Sequence, residues 1–194
     1  RCRCSTSLDA GCAWGRWAGM AGFHRGVAGC GAPGLCEYCG CQASGVIGEL
    51  TREHDAVVAL ISQVQSALAG QRTQDVVEIC RRLSSILAPH TVVEEQGLFP
   101  EMADEFPDHI EALRSEHREI EKVLDEAVGG LPDDPTWPDR LTGALFLLRE
   151  HILKEQDGVF PAALIALDTD QWERIEAVRA QLVPASTLAS TAPH

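Results

Sequence analysis

Apolar residues recur at steps of three and four along four stretches of this chain, the spacing of helices that each bury one face. Four helices of about twenty residues with short links predict an all-α fold, an antiparallel up-down-up-down four-helix bundle over residues 47 to about 167. We call the inward-facing positions of each helix its seam. The four seams are Ile47, Leu50, His54, Val57, Ile61, Val64 and Leu68; Val76, Ile79, Leu83, Ile86, His90 and Val93; Ile110, Leu113, His117, Ile120, Leu124 and Ala127; and Leu141, Ala144, Leu148, His151 and Glu155.

Gly and Pro residues interrupt the pattern between these stretches and predict where the helices end. The interruptions are residues 70–73, with Thr73 as the predicted N-cap, then Gly97, Pro100 and Pro107, then Gly129 and Gly130 with the run LPDDPTWP. After Pro161 the pattern predicts a short apolar helix and an extra C-terminal helix from about Asp170 to Leu182, packed through Trp172, Ile175, Val178 and Leu182.

The regions outside the bundle lack this periodicity. We expect residues 1–33 to be disordered or foreign to the functional chain, which would begin near Leu35. The predicted organisation is a leader at 1–33, a Cys-rich segment at 34–46, the bundle with its C-terminal helix at 47–183, and a disordered tail at 184–194.

The charge balance narrows the classes of partner. With a formal net charge of -13, the chain is not expected to bind nucleic acid or an anionic membrane surface. No run reaches the roughly 18 apolar residues that span a bilayer, and no secretory leader is recognisable. These features predict a cytoplasmic protein.

One histidine lies on each of the four seams. His54 and His117 come near the starts of the first and third helices, whereas His90 and His151 come near the ends of the second and fourth. In antiparallel alternation these positions meet at one end of the core. Because an unpaired polar group in a core costs roughly 1–3 kcal/mol, four such residues together indicate a shared purpose.

Two glutamates complete the cluster. The segments HTVVE and HILKE place Glu94 and Glu155 four residues after His90 and His151, on the same helical face. Imidazole and carboxylate donors suit iron, manganese or zinc, and a carboxylate can bridge two ions. The pattern His, His-x3-Glu occurs twice, so the chain also reads as two copies of a helical hairpin, each followed by Gly, Phe and Pro.

This arrangement resembles the hemerythrin-like family of HHE cation-binding domains, four-helix bundles that hold two non-haem irons. The resemblance implies that His54, His90, His117 and His151 are terminal ligands, that Glu94 and Glu155 bridge, and that oxygen or a related small ligand binds. In oxygen-carrying members the third helix has a second histidine at the position of Glu121, and the fourth helix has a carboxylate at the position of Gln156. The Glu121 side chain is either a further ligand or an ordinary helix charge, and reversible oxygen carriage is not expected.

Other metal-binding patterns fit less well. Ferritin-like bundles use Glu-x-x-His pairs, which none of the four seam histidines has, and the zinc-protease pattern His-Glu-x-x-His does not occur. Glu53, Glu116 and Glu150 each precede a seam histidine by one residue and are expected to be solvated or to support the ligands. A separate thiol site at Cys36, Cys39 and Cys41, either a second metal site or a redox centre, is also predicted.

Three functions remain open. The first is a non-catalytic di-iron protein that binds oxygen or a related small ligand for sensing, storage or iron handling. The second is a di-iron enzyme that decomposes peroxide, and the third is a structural zinc bundle. We favour the first, because no general base or substrate-binding motif is visible beyond the ligands. The protein partner and the oligomeric state are left open.

Overall fold

The computed structural model describes residues 45–182, and this range is almost entirely helical, with no strand in it. Its elements are α1 (Gly45–Ala69), α2 (Thr73–Val93), the π-helical turn π1 (Glu94–Leu98), α3 (Phe99–Met102), α4 (Pro107–Asp125), α5 (Trp137–Lys154), the π-helical turn π2 (Glu155–Val159), α6 (Phe160–Ala166) and α7 (Thr169–Leu182).

The four long helices form a closed bundle. Helix α1 packs on α2, and α4 packs on α5, as two antiparallel hairpins. The hairpins join through contacts of α2 with α4 and of α1 with α5, so each long helix has two long neighbours. Helix α7 lies against π1, α2 and α1. The predicted bundle with an extra C-terminal helix is confirmed.

Two apolar clusters fill the core, and the seam histidines lie between them. Around His54, Leu50 belongs to one cluster and Val57 to the other. The larger cluster includes Trp137, whose indole Nε1–H donates to the Val123 carbonyl at 3.1 Å. A polar layer between two dry clusters is shielded from water on both sides, which strengthens electrostatic interactions within it.

The glycines and prolines after the seam glutamates do not end their helices, contrary to the prediction. Each helix widens into a π-helical turn and continues, and the Phe99 N–H donates to the Glu94 carbonyl in the i→i+5 pattern. Pro100 and Pro161 each lie two residues after the last residue of the turn. A proline in an α-helix lacks an N–H and crowds the carbonyl four residues earlier, and the wider turn relieves both problems.

The predicted cap at Thr73 is also wrong. Thr73 is the first residue of α2, and Arg72 takes the cap position without a side-chain capping hydrogen bond to any of the described residues. The Arg72 guanidinium instead pairs with Asp75 in the first turn, Nε to Oδ2 at 2.9 Å. An aspartate in the first turn complements the helix dipole, so this end does not depend on a hydroxyl cap.

Several predictions fall outside the described residues. The division of the chain into domains, the leader at 1–33, the thiols of Cys36, Cys39 and Cys41, and the tail at 184–194 stay predictions.

Within residues 45–182, no helix is long and apolar enough to cross a membrane. Cys80 is buried among apolar neighbours in the larger cluster, and burial raises the pKa of its thiol to about 11.

Candidate metal centre

The six predicted metal-binding residues converge in one buried layer. Each histidine comes from a different long helix, and the two glutamates are the first residues of π1 and π2. The exposed fraction is at most 5% for each side chain of the set His54, His90, Glu94, His117, His151 and Glu155. The structure thus brings the six together, and their assignment as ligands stays a prediction.

Glu94 reaches histidines of both hairpins. Its Oε1 lies 3.2 Å from the His90 Nε2, on the preceding turn of the same helix. Its Oε2 lies 3.3 Å from the Nε2 of His117, which α4 contributes. One carboxylate therefore spans the two hairpins.

Glu155 does the same from the opposite side of the layer. Its Oε1 lies 3.1 Å from the His151 Nε2, and its Oε2 lies 3.2 Å from the His54 Nε2. Two groups follow, each with ligand atoms within 4.8 Å of one another: half-site A, made of His54, His90, Glu94 and Glu155, and half-site B, made of Glu94, His117, His151 and Glu155. Each glutamate offers one oxygen to each half-site.

The four carboxylate oxygens of these glutamates are buried and accept no hydrogen bond from any described residue. The Nε2 of His151 is likewise buried and without a hydrogen-bond partner among residues 45–182. Carboxylates buried without donors are costly, whereas the same oxygens are good ligands for a cation. The donor set fits metal ions, and each half-site could hold one.

Three further carboxylates hold the imidazoles from behind. The Nδ1 of His90 lies 2.8 Å from Glu53 Oε2, and that of His151 lies 3.0 Å from Glu116 Oε2. The Nδ1 of His117 lies 2.9 Å from Oε1 of Glu95. A carboxylate that accepts from Nδ1–H leaves Nε2 as the lone-pair donor that a metal needs. These bonds point three of the four imidazoles into the site.

Two of the outer carboxylates are themselves paired with cations. Glu53 binds Arg179 of α7, and Glu116 binds Lys154 of α5. Burial raises the pKa of each glutamate, but the hydrogen bonds from its histidine and its cation outweigh burial and lower that pKa. Both outer carboxylates therefore stay charged.

The electrostatics of the inner set depend on the same pairing. Burial lowers the pKa of the His90 and His151 imidazoles, but the facing carboxylates outweigh it and raise both pKa values to about 10. Burial raises the pKa of Glu94, but the charge of His90 and the nearby His117 imidazole outweigh burial and bring that pKa well below its usual range. A cation that binds these carboxylates replaces imidazolium protons, so its binding releases protons.

Two phenylalanines close the layer, each from the opposite hairpin. Phe99 stacks on His117 at 5.7 Å between ring centroids, and Phe160 stacks on His54 at 5.5 Å. Both phenylalanines are fully buried and belong to the smaller core cluster. They stand between the imidazoles and the end of the bundle, where they exclude water.

A small cavity lies on the other side of the imidazoles. Its volume is about 10 Å³, close to the smallest space that admits one water molecule. All four seam histidines line it, together with Leu87, Thr91, Ile120, Glu121, Leu148 and Ile152. Glu121 lies at this cavity but in neither of the half-sites.

The sequence predicted the inner set and left open whether Glu53 and Glu116 are solvated or support it, but Glu95 was missed. Glu95 lies one residue beyond Glu94, off the apolar seam, so helical periodicity gave no reason to single it out. The signal available was the repeat, because Glu95 and Gln156 occupy matching positions in the two copies. Glu150, which was grouped with Glu53 and Glu116, is exposed, in agreement with the solvated alternative.

The comparison with protein families points to the same residues. The family model described as the hemerythrin HHE cation binding domain matches residues 45–163, more than half of the chain and all of the histidines and glutamates described above. No match was found among curated proteins or among solved structures. The bundle, the His and Glu clusters and this match agree, and the chain belongs to the hemerythrin HHE cation-binding domain family.

Proposed function

We propose that this protein is a non-haem di-iron protein, with one iron in half-site A and one in half-site B. The observation that carries the proposal is the placement of Glu94 and Glu155. Each presents one oxygen to a histidine of either half-site at 3.1–3.3 Å, and none of the four oxygens accepts a hydrogen bond from the described residues. Two shared carboxylates suit a closely spaced pair of cations better than one ion.

The donor chemistry supports iron. Each half-site offers two imidazole nitrogens and two carboxylate oxygens, a set that non-haem iron accepts with positions to spare. The same four donors would close the tetrahedral shell of a structural zinc ion. A zinc bundle is therefore the alternative that metal analysis has to separate from the di-iron protein.

The cavity supports a small ligand. An iron pair held by these residues would keep coordination positions open to oxygen or a related diatomic ligand. Beyond the imidazoles, the cavity is lined by four apolar side chains together with Thr91 and Glu121, and it has room for about one water-sized molecule. We propose that the protein binds such a ligand for sensing, storage or iron handling.

Peroxide decomposition is the second candidate, and one observation favours it. Glu121 and Thr91 line the same cavity as the imidazoles. A carboxyl group at that place could accept or donate a proton during turnover. Steady peroxide turnover by iron-loaded protein, reduced at least tenfold in Glu121→Gln with iron content unchanged, would favour the enzyme over the binder.

Metal analysis of natively purified protein tests the proposal. We expect two irons per chain and an oxidised state that is silent in electron paramagnetic resonance, as for two coupled ferric ions. Glu155→Ala should lose both irons, because both half-sites share that carboxylate. Glu150→Ala, on the exposed side of α5, is the matched control and should retain both. Zinc alone, or a fully folded protein that takes up no iron, would overturn the di-iron proposal.

A further inference from the structure

The two hairpins repeat the supporting bonds of the site as well as its ligands. Glu53 and Glu116 occupy matching positions in the two hairpins. Glu53 accepts from the Nδ1 of His90, and Glu116 accepts from the Nδ1 of His151, in each case across the hairpin. Each of these glutamates is also paired with one cation. In this respect half-sites A and B are equal.

The repeat breaks at one pair of positions. Glu95 is the second residue of π1 and holds the Nδ1 of His117, whereas the second residue of π2 is Gln156. The histidine that a carboxylate there would hold is His54. Its Nδ1 is buried and finds no hydrogen-bond partner among residues 45–182. Half-site B thus has both imidazoles held by carboxylates, and half-site A has one.

This difference bears directly on how tightly a metal is held. A carboxylate at Nδ1–H fixes the tautomer and the orientation of the imidazole and makes its Nε2 a stronger donor. Removal of such a partner typically costs 10–100-fold in metal affinity. The bridging glutamates cannot create the difference, because both half-sites share them. The phenylalanine contacts cannot create it either, since His54 and His117 each carry one stacked ring at similar distance.

We propose that half-site B binds its metal first and more tightly, and that the pair Glu95 and Gln156 sets this order. The inference rests on the two-metal site proposed above. Glu95 acts as a positioning residue, because it touches the imidazole of His117 and not the metal. Half-site A, with His54 unsupported, is the exchangeable position, the one that gains or loses its ion as the available iron changes.

Anaerobic titration with Fe²⁺, followed by calorimetry and by competition with a chromophoric chelator, tests the order. We expect two resolved steps in the unaltered protein. His54→Ala should keep the tighter step, and His117→Ala should keep only the weaker one. Gln156→Glu should tighten the weaker step 10–100-fold, and Glu95→Gln should weaken the tighter step by a similar factor. Circular dichroism verifies that each variant is folded.

The exchange variant Glu95→Gln with Gln156→Glu keeps the composition and the net charge, so it guards against a general effect of charge. We expect half-site A to become the tighter site in this exchange variant and half-site B the weaker one. Addition of His54→Ala to it should therefore leave only the weaker step. Two equal steps in the unaltered protein, or a weaker step that Gln156→Glu leaves unchanged, would overturn the inference while leaving the di-iron proposal intact. Fewer than two Fe²⁺ bound both by the unaltered protein and by Gln156→Glu would overturn the di-iron proposal and the inference with it.

Discussion

The two π-helical turns share a sequence pattern and a role, yet only one of them is covered. In π1 a Cβ added at Gly97 would lie 3.3 Å from Cγ2 of Ile175, because α7 packs directly on that turn. In π2 a Cβ added at Gly158 would meet no described atom within 4 Å. A side chain at Gly97 would require Ile175 to move by a few tenths of an ångström, whereas Gly158 faces open space among the described residues.

The comparison separates what the repeat provides from what was added to it. The matched family domain ends at residue 163, so α7 lies beyond it. The repeat supplies two histidines, one buried glutamate and one π-helical turn in each copy. The main contacts of the added helix are with the first copy, where Ile175 covers π1 and Arg179 binds Glu53. The buried His and Glu set is therefore the same in both copies, whereas the bond of Glu95 to His117 and the packing of α7 differ between them.

The largest expected effect concerns what the copies share, the raised pKa values of His90 and His151. Both lie near 10 in the folded chain against an ordinary value of 6.5. Between these values the folded metal-free protein holds more protons than the unfolded chain. The contribution of these two histidines to the unfolding free energy should therefore be fully present below pH 6.5. It should be lost as the pH rises toward 10, by roughly 1 kcal/mol per pH unit for each extra proton.

Urea denaturation of chelator-treated protein at a series of pH values measures this slope. Iron-loaded protein should show the opposite trend, because metal and protons compete for the same nitrogens. His90→Gln and His151→Gln should each remove a similar share of the slope in the metal-free protein. A flat profile would show that the two pKa values are not raised in the folded chain, and a slope lost in only one of the two variants would show that the copies are not electrostatically equivalent.

The seam pattern made the bundle and the buried histidines of its core predictable, because burial leaves a periodic trace in the sequence. His54, His90, His117 and His151 stood out as the polar members of otherwise apolar seams, and antiparallel alternation placed them at one level. Each of these positions is buried in the structure. No distant contact had to be known to find them.

The π-helical turns left no such trace. Gly97 and Pro100 are typical of a helix end, and only the structure shows that the chain widens and continues past them. Glu95 was missed for the same reason, because its bond to His117 joins two helices and depends on where the wide turn places it. The packing of α7 on one copy alone depends on tertiary contacts that the repeat does not encode.

Substitution of Gly97 and Gly158 should change stability by an intermediate amount and tests whether α7 constrains π1. In Gly97→Ala the new methyl group forces Ile175 or the backbone of α7 to shift, which should cost about 1–3 kcal/mol of unfolding free energy. Gly158→Ala meets open space in a helical turn and should be neutral or stabilising by up to about 1 kcal/mol. Denaturation midpoints compare the two, and equal losses would show that α7 does not constrain π1.

The smallest effect is expected from the two cations that pair with the outer carboxylates. Arg179 joins α7 to Glu53 and, at 2.8 Å, to Glu49 of α1, whereas Lys154 pairs with Glu116 from within the bundle. Arg179→Gln should cost at most about 1 kcal/mol, since partly exposed ion pairs contribute little. The loss should appear as faster amide exchange across residues 170–182, because local opening of a docked helix depends on its few anchoring contacts.

Lys154→Gln is the matched control for this last prediction. It removes the equivalent cation from the other copy without touching α7, so exchange in that helix should stay unchanged. Iron stoichiometry should stay the same in both variants, because Glu53 and Glu116 still accept from His90 and His151. Unchanged exchange in Arg179→Gln would mean that apolar packing around Ile175 holds α7 alone. The docking of α7 would then depend on packing only, with no contribution from the ion pairs of Arg179.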